Sequence, residues 1–311
     1  MPFLEHDLAV DPLSPHIDGR VDRYVQELTG ASRSFVTGLF DHGCVKVNGE
    51  PATDGSRRLQ AGDRIELRYE ADRRYAPKPP RRAVARGFEV AFEDEHLLVV
   101  EKPSDLLTVP TPAGESNTLM DRVGAYVRAQ DKKLGAWVVH RLDRGVSGLL
   151  VFGKSREVAE AMQEQFAARK PEREYRAFLA GVLTREAGTF ESRLETHAAT
   201  LHRYSTRERG RGELAITHFR VLTRAREFTY ASLRLETGRR NQIRVHCAEA
   251  GHPVLGDPRY RPDLACTPLW RVKRMALHAA TLGFAHPRTR EMLRFESELP
   301  IEMADLLAKQ P

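Results

Sequence analysis

Residues 71–90, ADRRYAPKPPRRAVARGFEV, restrict the folding of this 311-residue chain more than any other stretch. Three prolines, six basic residues and two acidic ones fall within them. Pro79 and Pro80 in tandem forbid a helix and favour an extended, semi-rigid spacer. The segments on either side each carry their own helix, strand and turn signals, so the stretch reads as a domain boundary rather than a surface loop. The expected organisation is a small domain over 15–72, a Pro/Arg-rich linker over 73–87 and a larger domain over 88–311. A chain of this length can bury a substantial core in two such domains.

In the first segment, Val21, Tyr24, Val25 and Leu28 recur at the spacing of one helix face. Ser32 is placed to cap a second helix whose buried face is Phe35, Val36, Leu39 and Phe40, closed by Gly43. Val45 and Val47 then alternate with polar residues up to Asn48-Gly49, the strongest short hairpin signal. Gly62-Asp63 makes another turn, and Ile65, Leu67 and Tyr69 alternate as a closing strand. Two short helices followed by a small antiparallel sheet are expected.

The same order, R-V-D-R-Y, A-S-R-S-F-V, H-G-C-V-K-V-N-G-E and L-Q-A-G-D-R-I-E-L, resembles the RNA-binding domain named after a small-subunit ribosomal protein, the S-four domain, over about residues 17–70. The resemblance implies that Arg20, Arg23, Arg33 and Lys46 face RNA. Those cations flank the apolar helix stripes, where phosphate contacts would be made. Taken singly, each reads equally well as a solvated surface charge.

Beyond the spacer, FEVAF at 88–92 and LLVVEK at 97–102 read as a strand pair joined by a Glu-Asp-Glu-His turn. WVVH at 137–140 and GLLVFG at 148–153 are apolar enough for buried strands. Ser155 caps a helix that carries Val158, Ala161, Met162 and Gln165 on one face. YRAFLAG, AITHFRVL and FTYASLRLE follow as β-rich segments. Strand and helix do not alternate regularly, which argues against a doubly wound sheet. The expected class is α+β, with a mixed, largely antiparallel sheet flanked by helices after a small α+β domain.

Hydrophobic residues make up 41% and charged residues 30%, the balance of a globular chain. The longest apolar runs, such as Leu97–Val100 and Leu149–Phe152, are too short to cross a bilayer. The start, MPFLEHDLAV, lacks the basic and apolar regions of a secretion signal, so a cytoplasmic location with no membrane partner is expected. Cys44, Cys247 and Cys266 cannot all pair and form no C-x-x-C, which disfavours a disulfide scaffold or a cysteine-built zinc site. The charge balance, 49 basic against 43 acidic residues, is a moderate excess carried mostly by arginine, whose planar fork suits phosphate contacts.

Two stretches could carry chemistry. In HRLDRGVSGLLV at 140–151, Asp143 sits on a connection between apolar strands, beside Arg141 and Arg144. A carboxylate at the rim of a sheet is held in place yet reachable, and Gly145 and Gly148 would let a substrate backbone come close. A structural ion pair is the competing reading. In LETGRRNQIRVHC at 235–247, Thr237-Gly238 reads as a turn opening a helix, with Arg239, Arg240 and Arg244 in its first turns. Cations there oppose the helix dipole and suggest an outside anionic partner such as phosphate. His246, Cys247 and His252 lack metal-ligand spacing, so His246 reads as a packed core histidine and no metal is expected.

Taken in order, E-D-E-H-L-L-V-V-E-K-P at 93–103, H-R-L-D-x-x-x-S-G-L-L-V, E-Y-R-A at 174–177, G-R-x-N-Q-I-R-V-H, G-H-P-V-L-G-D-P-R-Y at 251–260 and R-M-A-L-H-A at 274–279 resemble the RluA family of pseudouridine synthases. The resemblance covers about residues 88–300. It implies that Asp143 is the catalytic aspartate, that Tyr175 stacks on the uracil and is available for proton transfer, that Arg244 pairs with Asp143, and that Leu277 lines the pocket. Arg141 joins them in the pocket, and Arg239 and Arg240 are assigned to RNA. Three positions depart from the family pattern: Val146 stands where threonine is usual, Asn241 where histidine is usual, and Asp105 where glycine usually follows the K-P pair.

The implied reaction breaks the C1′–N1 bond of a uridine, turns the uracil and joins C1′ to C5. Nothing is oxidised and no group is supplied, so no cofactor is expected. It calls for a carboxylate at the sugar, an aromatic face for the detached base, and a nucleotide flipped out of its stack. Ribosomal RNA of the large subunit is the favoured substrate, transfer RNA the alternative, and a monomer is expected. A catalytically silent RNA-binding or assembly factor is disfavoured, because a binder has no need of an aspartate among phosphates. A glycosidase would call for a second carboxylate across the cleft.

Overall fold

In the computed structural model the chain divides into two units, Met1–Pro80 and Arg81–Pro311, each built on its own sheet. The structure describes residues 3–11, 14–52, 55, 57–70, 75, 87–208 and 210–309. The Pro/Arg-rich linker expected over 73–87 lies outside the described residues, apart from Tyr75 and Gly87.

The first unit has the order β1 (Phe3–Ala9), α1 (Val21–Thr29), α2 (Arg33–Asp41), β2 (Val45–Val47), β3 (Glu50–Pro51) and β4 (Arg64–Glu70). Its two helices form where the apolar periodicity places them, and α2 begins at Ser32, whose Oγ accepts the Phe35 N–H. Such a cap contributes about 1 kcal/mol. Val21, Val25, Leu39, Val45, Val47, Leu59, Ile65 and Leu67 close a core from which water is almost excluded. The strand β1 is not expected from the sequence; it pairs antiparallel along the full length of β4, from Phe3 opposite Glu70 to Ala9 opposite Arg64. Its apolar residues sit in pairs at the two ends around Glu5-His6-Asp7, so no period-2 apolar signal announces it.

The second unit runs β5 (Glu89–Glu93), β6 (Leu97–Lys102), α3 (Leu119–Gln130), β7 (Trp137–Val138), β8 (Ser147–Gly153), α4 (Arg156–Ala167), β9 (Glu172–Ala180), β10 (Ala187–Thr196), β11 (Arg203–Thr206), β12 (Glu213–Arg224), β13 (Phe228–Leu235), α5 (Gln242–Glu249), α6 (Pro262–Ala265), β14 (Leu277–Ala285), β15 (Met292–Glu296) and α7 (Ile301–Ala308). Its sheet has the order β11-β10-β12-β13-β9-β14-β8-β6-β5, with β15 on β14 and β7 on β8. Among the described pairings of this sheet, β14 with β8 is parallel and the others are antiparallel, which makes the mixed α+β class the observed one. No helix of the described residues is long and apolar enough to cross a membrane.

The central strand β8 is buried along its whole length because helices or loops cover both faces. Gly148 is required where β8 meets β14: its φ is 114°, and a Cβ there would collide with the backbone of Ala279. The crossing brings the start of β8, the start of β14, β9 and the exit of β13 to one place. Each residue implied in the chemistry lies on one of these strands or on the loops and helix joined to them.

Candidate active site

A cavity of about 370 Å³ opens there, walled by Asp143, Tyr175, Arg244 and Leu277 among others. Asp143 lies half-buried on the turn between β7 and β8. Arg244, in the first turn of α5, places its NH1 at 3.2 Å from the carboxylate. The rest of the guanidinium is gripped by Asp257, with Nε to Oδ2 at 2.7 Å and NH2 to Oδ1 at 2.8 Å. Asp257 is 0% exposed and also accepts the N–H groups of Arg259 and Tyr260. Burial works against the charge of Arg244, but Asp257 and Asp143 outweigh it and hold the guanidinium well above its ordinary value. Asp257 therefore sets the angle at which Arg244 meets Asp143.

The loop that carries Asp143 is fastened on both sides by residues 102–108. Thr108 Oγ1 donates to the Leu142 carbonyl at 2.8 Å and accepts the Leu142 N–H, and Ser104 Oγ donates to the Gly145 carbonyl. The buried Lys102 ammonium donates to the carbonyls of Pro103, Leu106 and Arg144. Burial pushes Lys102 down to about 7, with Asp143 acting in the opposite direction. Asp105 has a φ of 64°, so its backbone keeps the left-handed turn that a glycine would adopt there, and its carboxylate pairs with Arg144 at 2.8 Å.

Tyr175 projects from the central strand β9 into the cavity, and burial pushes its phenol up to about 12. The hydroxyl is thus neutral near neutral pH. Leu277, the first residue of β14, is buried against it in the same apolar cluster. Asn241 touches the carboxylate from the other side. Its amide nitrogen faces Asp143, at 2.8 Å from Oδ2 and 3.1 Å from Oδ1, because the opposite orientation would set an amide oxygen against a carboxylate. Its oxygen then accepts from the Tyr260 hydroxyl at 3.0 Å. Tyr260 also lies under the Arg244 guanidinium, 4.9 Å from ring centroid to carbon.

Some expectations require correction. The helix expected to open at Thr237-Gly238 begins only at Gln242, since the Gln242 side chain accepts from Thr237 and from the Arg239 N–H and ties the preceding turn to β12. Arg244 does not await an outside anion, because its charge is met by Asp257 and Asp143. Arg239 lines the cavity but pairs with Glu213 at 2.8 Å and donates to the Leu214 carbonyl. Arg240 is exposed at the cavity and donates to the Leu201 carbonyl, while Arg141 is exposed on its rim. His246 is a buried histidine between the hydroxyls of Thr217 and Ser192, and burial pushes it down to about 4. Sequence reasoning gave no role to Lys102, Asp257 or Tyr260, although each falls inside a motif that carries the family resemblance.

A model of the RNA pseudouridylate synthase family matches residues 96–249, and a model of the S4 domain matches residues 19–65. An uncharacterized RNA pseudouridine synthase of Bacillus subtilis, YlyB, is 32% identical over 295 residues, 93% of each chain. This chain belongs to the RNA pseudouridylate synthase family. It is an RluA-type synthase carrying an N-terminal S4 domain. A ribosomal large subunit pseudouridine synthase D of Pasteurella multocida is 31% identical, over 93% of this synthase and 90% of that one. The fold is also that of human RNA pseudouridylate synthase domain containing 4, with a TM-score of 0.60 at 22% identity over 71% of this chain and 92% of the other.

In the S4 domain of this synthase, Arg20 and Arg23 line one surface hollow and Lys46 lines another. Arg20 is engaged with Asp22, through Nε at 3.0 Å and NH2 at 2.6 Å. The side chain of Arg33, assigned with them, lies outside the described residues.

Proposed function

We propose that this synthase isomerises uridine in large-subunit ribosomal RNA, in the cytoplasm and as a monomer, with Asp143 as the catalytic carboxylate. The single observation that carries the assignment is the Asp143–Arg244 contact at 3.2 Å within a cavity walled by Tyr175 and Leu277. Several relatives aligned with more than nine-tenths of the chain act, by their names, on the ribosomal large subunit, which favours that substrate over transfer RNA.

In this reading a uridine flips into the cavity and its uracil stacks on Tyr175. Asp143 meets the sugar as nucleophile at C1′ or as base at C2′, while Arg244 and Asn241 hold it in place. The detached uracil turns on the Tyr175 face and its C5 joins C1′. The exposed Arg141 and Arg240 contact phosphates, as do Arg239 on its free side and Arg20, Arg23, Arg33 and Lys46 of the N-terminal domain. Residues 15–72 thereby grip RNA and residues 88–311 catalyse.

Asp143→Asn tests the assignment, since asparagine keeps size and hydrogen bonding but is a poor nucleophile and base. The variant is expected to fold, to bind total RNA from cells lacking the protein, and to form no detectable pseudouridine in it. Wild-type turnover in a well-folded variant would dismiss the assignment. Mapping pseudouridine in the RNA of those cells identifies the target, and a loss confined to transfer RNA would overturn the ribosomal reading.

A further inference from the structure

Arg173 is a buried cation with which no carboxylate among the described residues pairs. It is 7% exposed, yet its Nε is buried without a hydrogen-bond partner. Its NH2 reaches the Glu236 carbonyl only at 3.4 Å, and its guanidinium carbon lies 5.5 Å from the centroid of the Phe166 ring. No carboxylate acts on it among the described residues, and burial lowers its proton affinity. The neighbouring arginines differ: Arg244 is held by two carboxylates, Arg169 by Glu236 and Arg239 by Glu213. A charge taken out of water without a partner is destabilising, so a side chain of this kind persists where an anion visits.

Arg173 lines the catalytic cavity and stands two residues before Tyr175 on β9, hence on the same face of the strand and about 7 Å away. A base resting on Tyr175 lies within reach of the guanidinium. When the C1′–N1 bond breaks, its electron pair leaves with N1 and the uracil becomes an anion whose charge spreads over N1, O2 and O4. The sugar side is balanced by Asp143, through a bond to C1′ or by taking the C2′ proton. After the ring turns, C5 bonds to C1′ as the Asp143–C1′ bond breaks or the proton returns from Asp143 to C2′; the C5 proton is lost and N1 gains one, so composition is unchanged.

We infer that Arg173 stabilises the detached uracil anion, its guanidinium taking a uracil carbonyl oxygen while Tyr175 holds the ring. The inference rests on the reading of Asp143 and its cavity given above, and adds to it the group that meets the leaving base. Charge on the uracil develops only as the bond breaks, so a donor set in place beforehand favours the transition state over the bound substrate. His140, which also lines the cavity, is pushed down to about 3 by burial with Arg173 adding to the effect, so it stays neutral and does not compete for the anion. Backbone phosphates are better met by the exposed Arg141 and Arg240.

The test uses full-length Arg173→Met and Arg173→Lys with total RNA from cells lacking the protein. Arg173→Met is expected to melt no lower than wild type, because an unpaired buried charge has been removed. It should bind RNA within about three-fold of wild type yet isomerise it roughly 100-fold more slowly, with Arg173→Lys recovering part of the rate. A transcript of the mapped segment made with 5-fluorouridine has a more acidic, more readily departing base. The gap between wild type and Arg173→Met in single-turnover consumption of that nucleoside should narrow. A wild-type rate in Arg173→Met overturns the inference. So does a loss confined to RNA affinity, which would make Arg173 a phosphate anchor, or a fall in melting temperature that accounts for the lost activity. If Arg173→Met is active while Asp143→Asn is inactive, this inference alone fails; if Asp143→Asn is active, the reading beneath it fails as well.

Discussion

At the scale of single residues, the carboxylate of Asp143 is held from two directions, by Arg244 braced on Asp257 and by Asn241 braced on Tyr260. Among the described residues, one carboxylate oxygen receives both Arg244 and Asn241, and the other receives only the longer Asn241 contact. In the role proposed for Asp143, the second oxygen is the one left to meet the sugar. Asn241 has a φ of 56°, a region that asparagine tolerates better than most residues, so its backbone and its amide suit the place together. Asn241→Gly keeps that backbone and deletes the amide, whereas Asn241→Ala deletes the amide and adds strain of roughly 1 kcal/mol. Turnover should fall about ten-fold or more in both, as expected for losing hydrogen bonds to a charged group, while Ala shows the larger drop in melting temperature. Steady-state rates and thermal unfolding of the two variants check this, and full turnover in Asn241→Gly would leave the contact without a role.

At the scale of elements, the site depends on how closely β8 and β14 approach. Ser147 and Gly148 face His278 and Ala279 in the parallel pairing, and Gly148 admits the Ala279 backbone where any side chain would block it. Gly148→Ala should therefore destabilise the second unit by about 3 kcal/mol, through both overpacking and an unfavourable φ. Chemical denaturation measures this, and an unchanged midpoint would show that the strands part without penalty. The sequence marked Gly148 only as a position where a substrate could come close; the observed neighbour is another strand of the same sheet. Asp105, in a left-handed turn, likewise meets a side chain from elsewhere in the chain, Arg144, whereas α5 starts late because its own first residue, Gln242, binds the preceding turn.

At the scale of the whole molecule, each unit closes its own core, so the two can be separated experimentally. Deleting residues 1–86 should leave a folded catalytic unit that binds RNA less tightly. The deficit should shrink as salt rises, because phosphate contacts release counterions. Binding isotherms at several salt concentrations check it, and equal affinity at low salt would contradict a role for the N-terminal unit in holding RNA. The helices α1 and α2, the Asn48-Gly49 hairpin and the buried strand β8 were all legible in the sequence, since each is dictated by local periodicity, a cap or a turn. The ordered motifs likewise pointed to Asp143, Tyr175, Arg244 and Leu277, which the fold gathers around one cavity. Tertiary structure alone decided which arginines are neutralised and which are not. Spacing along the chain could not tell that Arg244 meets Asp257, that Arg239 meets Glu213, or that Arg173 meets no carboxylate among the described residues. The physical reason is that a helix or strand declares itself through neighbours a few residues away, whereas the charge state and orientation of a buried group are set by partners brought together from distant segments.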